Sequence, residues 1–198
     1  MFEKRIRPFY QHLFVDPLAR KLVLWSFIHP SHLTLMGCAT GLLSALAIAL
    51  GNSGIGLGLL LISGYLDTLD GTVARCKKQT SPFGTALDIV CDRVVEFAIV
   101  VSFYSLHKTA YLSLFMLGSI LICVTSFLIV GIFSENTTHK GFYYSPGLVE
   151  RAEAFFLFAL MICFPALFPL FAAIFSLLVF LTAGIHLLQF HKHFSNTL

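Results

Sequence analysis

Four aspartates stand at fixed spacings in this chain: Asp67 and Asp70, three residues apart, and Asp88 and Asp92, four apart. They belong to the run D-T-L-D-G-T-V-A-R, then eight residues, then G-T-A-L-D-I-V-C-D, which together span 26 positions. All four sit at the margins of strongly apolar segments. A charge near the centre of a membrane helix costs roughly 2.5–3.5 kcal/mol, so four approach ~10 kcal/mol unless they share cations and a wet cavity. At about 3.6 residues per turn, each pair falls on one helix face, within about 60° and 40° respectively. Two antiparallel helices carrying such faces can converge on one point. A dense all-oxygen donor set suits magnesium or manganese, and the stretch has no His or paired Cys to favour zinc. Gly71 and Gly84 leave room beside the carboxylates for phosphate or sugar, and Arg75, Lys77 and Lys78 supply positive charge for an anionic ligand. The two lysines read equally as topology anchors. Glu96 continues the Asp88–Asp92 stripe at greater depth and reads mainly as a partner for Arg93 or a neighbouring helix.

The elements that must hold these residues are membrane helices. The chain is 57% hydrophobic and 12% charged, with 21 Phe; soluble domains carry about 25% charged residues. Six apolar segments follow one another: Leu33–Gly51, Gly54–Leu69, Phe83–Leu106, Thr109–Phe133, Ala152–Leu167 and Phe168–Phe190. Several approach the ~20 residues a bilayer demands, the second and fifth are short, and none alternates like a strand. Ahead of them, Lys4, Arg5, Arg7, Arg20 and Lys21 mix with Phe9, Tyr10, Leu13, Phe14, Leu18 and Trp25, as in an amphipathic helix lying on an anionic leaflet. The expectation is an all-α integral membrane protein: one domain over 1–198, an interfacial region over 1–30 and a six-helix bundle over 31–198. With the N-terminus cytoplasmic, only Lys108 of the 13 Lys and Arg falls outside. The positive-inside pattern then puts both termini, and a polar cavity between the second and third helices, on the cytoplasmic side of a bacterial-type inner membrane. The net charge of +3 fits anionic lipid and gives no reason to invoke nucleic acid. The five cysteines show no ligand spacing and read as small buried hydrophobes.

Position for position, the run resembles the D-x-x-D-G-x-x-A-R-x(8)-G-x-x-x-D-x-x-x-D signature of the CDP-alcohol phosphotransferase family. The resemblance implies transfer of a phosphatidyl group from CDP-diacylglycerol to an alcohol, with release of CMP, in a protein that is typically a homodimer. It implies that Asp67, Asp70 and Asp88 bind Mg2+ or Mn2+, with two ions expected. Asp92 would be the catalytic base and a further metal ligand. Gly71, Ala74, Arg75 and Gly84 would surround the cytidine diphosphate. Pro30-Ser31-His32-Leu33-Thr34 echoes the family's P-N-x-x-T, with Ser31 in place of Asn, and adds Thr34 to the CDP-binding set. The same residues read equally as a helix start with Pro and a Ser cap.

The acceptor is less sharply marked. Residues 93–98 lack the S-F-G-x-A-P-like stretch of phosphatidylserine-forming members, and no G-K-x-K-T segment typical of many glycerol 3-phosphate users is present. Gly147-Leu148-Val149-Glu150-Arg151-Ala152-Glu153 resembles a segment of the inositol-phosphate-using branch, which implies a polyol phosphate acceptor, inositol phosphate or glycerol 3-phosphate, contacted by Lys140 and Arg151. Glu150 and Arg151 also read as a helix cap and interface anchor, and Tyr143 and Tyr144 keep a choline-like acceptor open. Two other classes use aspartate clusters. An Asp-lined divalent cation transporter needs polar residues on the far half of the bilayer, where this chain is apolar. An intramembrane prenyltransferase lacks the G-x-x-A-R spacing.

Overall fold

The computed structural model describes residues 11–23, 29–133 and 147–195. Within them the chain is helical and forms two compact units, Met1–Lys108 and Thr109–Leu198. The N-terminal arm of Lys4, Arg5, Arg7 and Trp25, the loop of Lys140, Tyr143 and Tyr144, and Pro146 all lie outside the described residues.

In the first unit a π-helical turn, Gln11–Val15, leads into helix α1, Asp16–Val23, followed by α2, Pro30–Ala49, α3, Ser53–Cys76, and α4, Pro82–His107. Each boundary has a local cause. Pro30 opens α2 at a position where its missing N–H costs nothing. The cap there is the His29 ring, whose Nδ1 accepts the Ser31 N–H at 3.4 Å, and not the Ser31 side chain expected from the sequence. Gly51, with φ of 80°, turns the chain between α2 and α3. Ser81 caps α4: its Oγ accepts the Gly84 N–H at 3.0 Å, and Pro82 follows in the first helical position.

The end of α3 departs from expectation. The helix runs to Cys76 instead of stopping at Leu69, and the connector to α4 is residues 77–81, shorter than the 70–82 left between the two expected segments. Nothing in D-G-T-V-A-R-C forbids a helix; Gly71 alone weakens it by only about 1 kcal/mol. The stop is built by Lys78, whose φ of 54° is left-handed. The Gln79 N–H bonds to Ala74 O at 2.9 Å and the Lys78 N–H to Arg75 O at 3.1 Å. This pair of bonds is a Schellman closure with lysine where glycine is usual.

Small residues let α2 approach both α3 and α4 closely. Ser63 Oγ donates to Gly37 O, and Ser44 Oγ to Gly56 O, each at 2.7 Å. A Cβ added at Gly41 would stand 2.6 Å from Val95 Cγ2 and 3.0 Å from Ser63 Oγ. Close backbone approach with polar cross-links is how helices associate where burial from water gives no driving force. Val15 and Ala19 pack in a cluster with Leu33, Leu69 and Val73, which seats α1 and its leading turn on α2 and α3.

The second unit holds α5, Ala110–Phe133, α6, Arg151–Cys163, and α7, Phe168–Ser195, with a 3-10 turn at Pro165–Leu167 before the last. Ser126 Oγ lies 3.2 Å from His186 Nδ1, and the Phe158 and Phe175 rings meet at 5.2 Å. Helix α6 begins with a capping box between Glu150 and Glu153. The Val149 N–H just before it is bonded to Thr182 Oγ1 at 3.1 Å.

Four of the six expected spans are long and apolar enough to cross a bilayer: Pro30–Ala49, Ser53–Cys76, Ala110–Phe133 and Pro165–Lys192. Helix α4 has the length, with 26 residues, but carries Asp88, Asp92, Arg93 and Glu96. Helix α6 is apolar but has only 13 residues, about 20 Å at 1.5 Å per residue. Cys76 and Cys163 are exposed, so those two cysteines are not the buried residues expected; Cys91 is buried.

Candidate active site

The motif occupies the last three turns of α3 and the first three of α4, so the hairpin itself faces its two acidic stripes toward each other. One carboxylate oxygen from each of Asp67, Asp70 and Asp88 lies within 4.8 Å of the other two. Asp70 is 5% exposed; Asp67 and Asp88 are half-buried, and Asp88 Oδ1 is shielded from solvent. Two oxygens bound to one Mg2+ or Ca2+ stand at most about 4–5 Å apart, given bonds of about 2.0–2.6 Å. The three aspartates therefore fit one hard divalent cation with little movement. Asp92, four residues on from Asp88, is half-buried and stands outside this group of three.

A further contact comes from α2. Thr34, 8% exposed, donates its hydroxyl to Asp70 Oδ2 and lies 3.3 Å from Pro30 O. One proton cannot serve both acceptors, and the charged carboxylate is the stronger. The P-x-x-x-T echo thus places its threonine on a carboxylate of the cluster. Spacing gave no sign of that contact, because it joins residues 36 apart in sequence.

Around the carboxylates, the glycines and Arg75 form the rest of the motif. The position of a Cβ at Gly71 is 3.4 Å from Arg75 Nη1, so the guanidinium lies against the bare backbone. Arg75 itself is exposed, and its Nη2 donates to Thr72 Oγ1 at 3.2 Å. Thr72, an unspecified position of the motif, escaped the sequence reading. Ala74 is half-buried on the same helix, and Gly84 occupies the first turn of α4 beside Ser81 Oγ. Lys77 and Lys78 form the helix end described above. Glu96, 4% exposed, pairs with Arg93 at 2.8 Å, the reading favoured from sequence over a metal role.

Of the two expected acceptor residues, Lys140 lies outside the described residues. Arg151 opens α6 in the second unit, half-buried, with its guanidinium 5.2 Å from the Phe155 ring centroid.

Comparison with known proteins agrees with the motif. The family model for CDP-alcohol phosphatidyltransferase matches residues 27–187. The inner membrane protein YnjF of Escherichia coli is 33% identical over 165 residues, covering 78% of this chain and 79% of that protein. Archaetidylinositol phosphate synthase of Methanothermobacter thermautotrophicus is 30% identical over 140 residues, covering 71% and 67%. Among solved structures, phosphatidylinositol phosphate synthase of Mycobacterium tuberculosis in complex with manganese and citrate aligns with a TM-score of 0.70 at 19% identity, covering 89% of this chain and 88% of that one. The same enzyme with CDP-DAG bound gives a TM-score of 0.63 at 21% identity, covering 90% of each. The helical fold, the aspartate cluster and the match over residues 27–187 have one conclusion: the chain belongs to the CDP-alcohol phosphatidyltransferase family.

Proposed function

We propose that the protein transfers a phosphatidyl group from CDP-diacylglycerol to the hydroxyl of inositol phosphate, forming a phosphatidylinositol phosphate and releasing CMP. The observation that carries the reading is the convergence of Asp67, Asp70 and Asp88 within one motif hairpin. The inositol phosphate acceptor is supported by the names of two relatives, the archaetidylinositol phosphate synthase above and the phosphatidylinositol phosphate synthase of Corynebacterium glutamicum, 28% identical. The Gly147–Glu153 segment adds to it, with Lys140 and Arg151 as the cations for the acceptor phosphate.

In this reading Asp67, Asp70 and Asp88 hold Mg2+ or Mn2+, with Asp92 contributing to a second ion. Bound metal supplies neutralisation of the diphosphate charge as CMP leaves. Thr34 holds the Asp70 carboxylate in orientation. Gly71, Ala74, Arg75 and Gly84 receive the cytidine diphosphate, with the glycines admitting it close to the backbone. Asp92 accepts the proton of the acceptor hydroxyl, whose oxygen forms the new bond to the lipid-side phosphorus as the bond to the CMP oxygen breaks. Six membrane helices, an interfacial N-terminal segment and a cavity open to the cytoplasm would let a water-soluble head and a lipid tail be held together in one domain. A homodimer completes the proposed assembly.

CMP release by purified protein in detergent tests the reading, with CDP-diacylglycerol, Mg2+ or Mn2+, and inositol 1-phosphate, glycerol 3-phosphate, serine, choline or no acceptor. The expected result is release with inositol phosphate alone, abolished by chelation and by Asp92→Asn. Release with a different acceptor replaces the acceptor assignment, and release that survives Asp92→Asn at the normal rate refutes the base.

A further inference from the structure

The hydroxyl of Thr72 is fully committed. Its proton goes to Thr68 O at 2.9 Å, and its oxygen accepts Arg75 Nη2 at 3.2 Å and Gln11 Nε2 at 2.9 Å. A hydroxyl offers one donor and two lone pairs, so all its capacity is used. Gln11 lies 61 residues before Thr72, in the π turn ahead of α1. The same amide nitrogen reaches Asp16 Oδ1 at 3.2 Å, so both of its N–H groups are engaged. The turn is seated by Val15 and Ala19, which are fully buried among Leu33, Leu69 and Val73. The N-terminal segment is thereby tied, through one hydroxyl, to the arginine of the motif.

We propose that Gln11 and Thr72 are positioning residues that hold Arg75 for the diphosphate of the CDP-lipid. The inference rests on the reading above that Arg75 meets this group. An exposed arginine samples many rotamers, and binding an anion has to freeze one of them. Anchoring Nη2 on Thr72 while Nη1 lies against Gly71 removes part of that freedom before the ligand arrives. Gln11 in turn fixes the Thr72 oxygen from outside the motif helix, which a hydroxyl bonded only within α3 would not achieve.

The test is the affinity of the full-length protein in detergent with Mn2+ for CDP-diacylglycerol, a measurement that needs no acceptor. Thr72→Val and Gln11→Met, which keep side-chain size and remove the hydrogen bonds, are expected to weaken binding about two- to fivefold. Thr72→Ser retains the hydroxyl and is expected to bind like the native protein. In an Arg75→Ala background Thr72→Val is expected to have no further effect, because its action runs through the arginine. A purely structural Thr72 would weaken binding equally in both backgrounds, and that result overturns the proposal. So does native affinity in both Thr72→Val and Gln11→Met. If Arg75→Ala itself binds like the native protein, the nucleotide reading of Arg75 fails first and the proposal falls with it.

Discussion

Replacing Asp88 by Asn should stabilise the protein without metal and remove its response to metal. The Asp67, Asp70 and Asp88 oxygens lie within 4.8 Å of one another. At that distance two unit charges repel by about 3.5 kcal/mol when the effective dielectric constant is about 20. Asp88→Asn abolishes two of the three pairs, about 7 kcal/mol if every group were ionised. The other interactions that these aspartates make keep the net relief well below that ceiling. A bound cation would relieve the same repulsion: at a hundred times the dissociation constant, it adds about 2.7 kcal/mol of stability. Thermal unfolding in detergent, followed with chelator and with millimolar Mn2+, separates the two effects. Without metal, Asp88→Asn should unfold several degrees above the native protein; with Mn2+ the native protein should rise and the variant should not. A native protein indifferent to Mn2+, or a variant that unfolds earlier without metal, would refute the electrostatic reasoning.

Thr34→Val removes the donor from Asp70 and should weaken Mn2+ binding about tenfold, the effect typical of losing a group that orients a ligating carboxylate, while Thr34→Ser retains native affinity in the same titration. Gly41→Ala puts a methyl 2.6 Å from Val95 Cγ2 and should cost about 1–3 kcal/mol in denaturation, recovered in part by adding Val95→Ala, which clears the space; additive losses in the double variant would count against the packing account.

The site was legible where chemistry and helical period coincide. Asp67, Asp70 and Asp88 carry their convergence in their spacing, because each pair shares a face and the hairpin brings the faces together. The end of α3 was hidden because its left-handed closing residue is Lys78, whereas the sequence signal for such an end is Gly or Asn. Apolarity stops at Leu69, so hydropathy shortened the helix, yet the backbone continues through Arg75 on local hydrogen bonds. Contacts made across sequence, Thr34 to Asp70 and Gln11 to Thr72, had no local signature at all. His29 is the cap in place of Ser31 because its imidazole nitrogen accepts the Ser31 N–H, an option that a pattern of cap residues leaves out.

The carboxylate group and the threonine that holds it all come from Met1–Lys108. The outermost aspartates of the group of three, Asp67 and Asp88, are separated by a single tight connection, so bringing them together costs little chain entropy. Ribosomes add about 5–20 residues per second, which leaves roughly 5–18 s of synthesis between Lys108 and Leu198. Assembly order follows from this arrangement: Thr34, Asp67, Asp70 and Asp88 can come together while the residues from Thr109 onward are still being made.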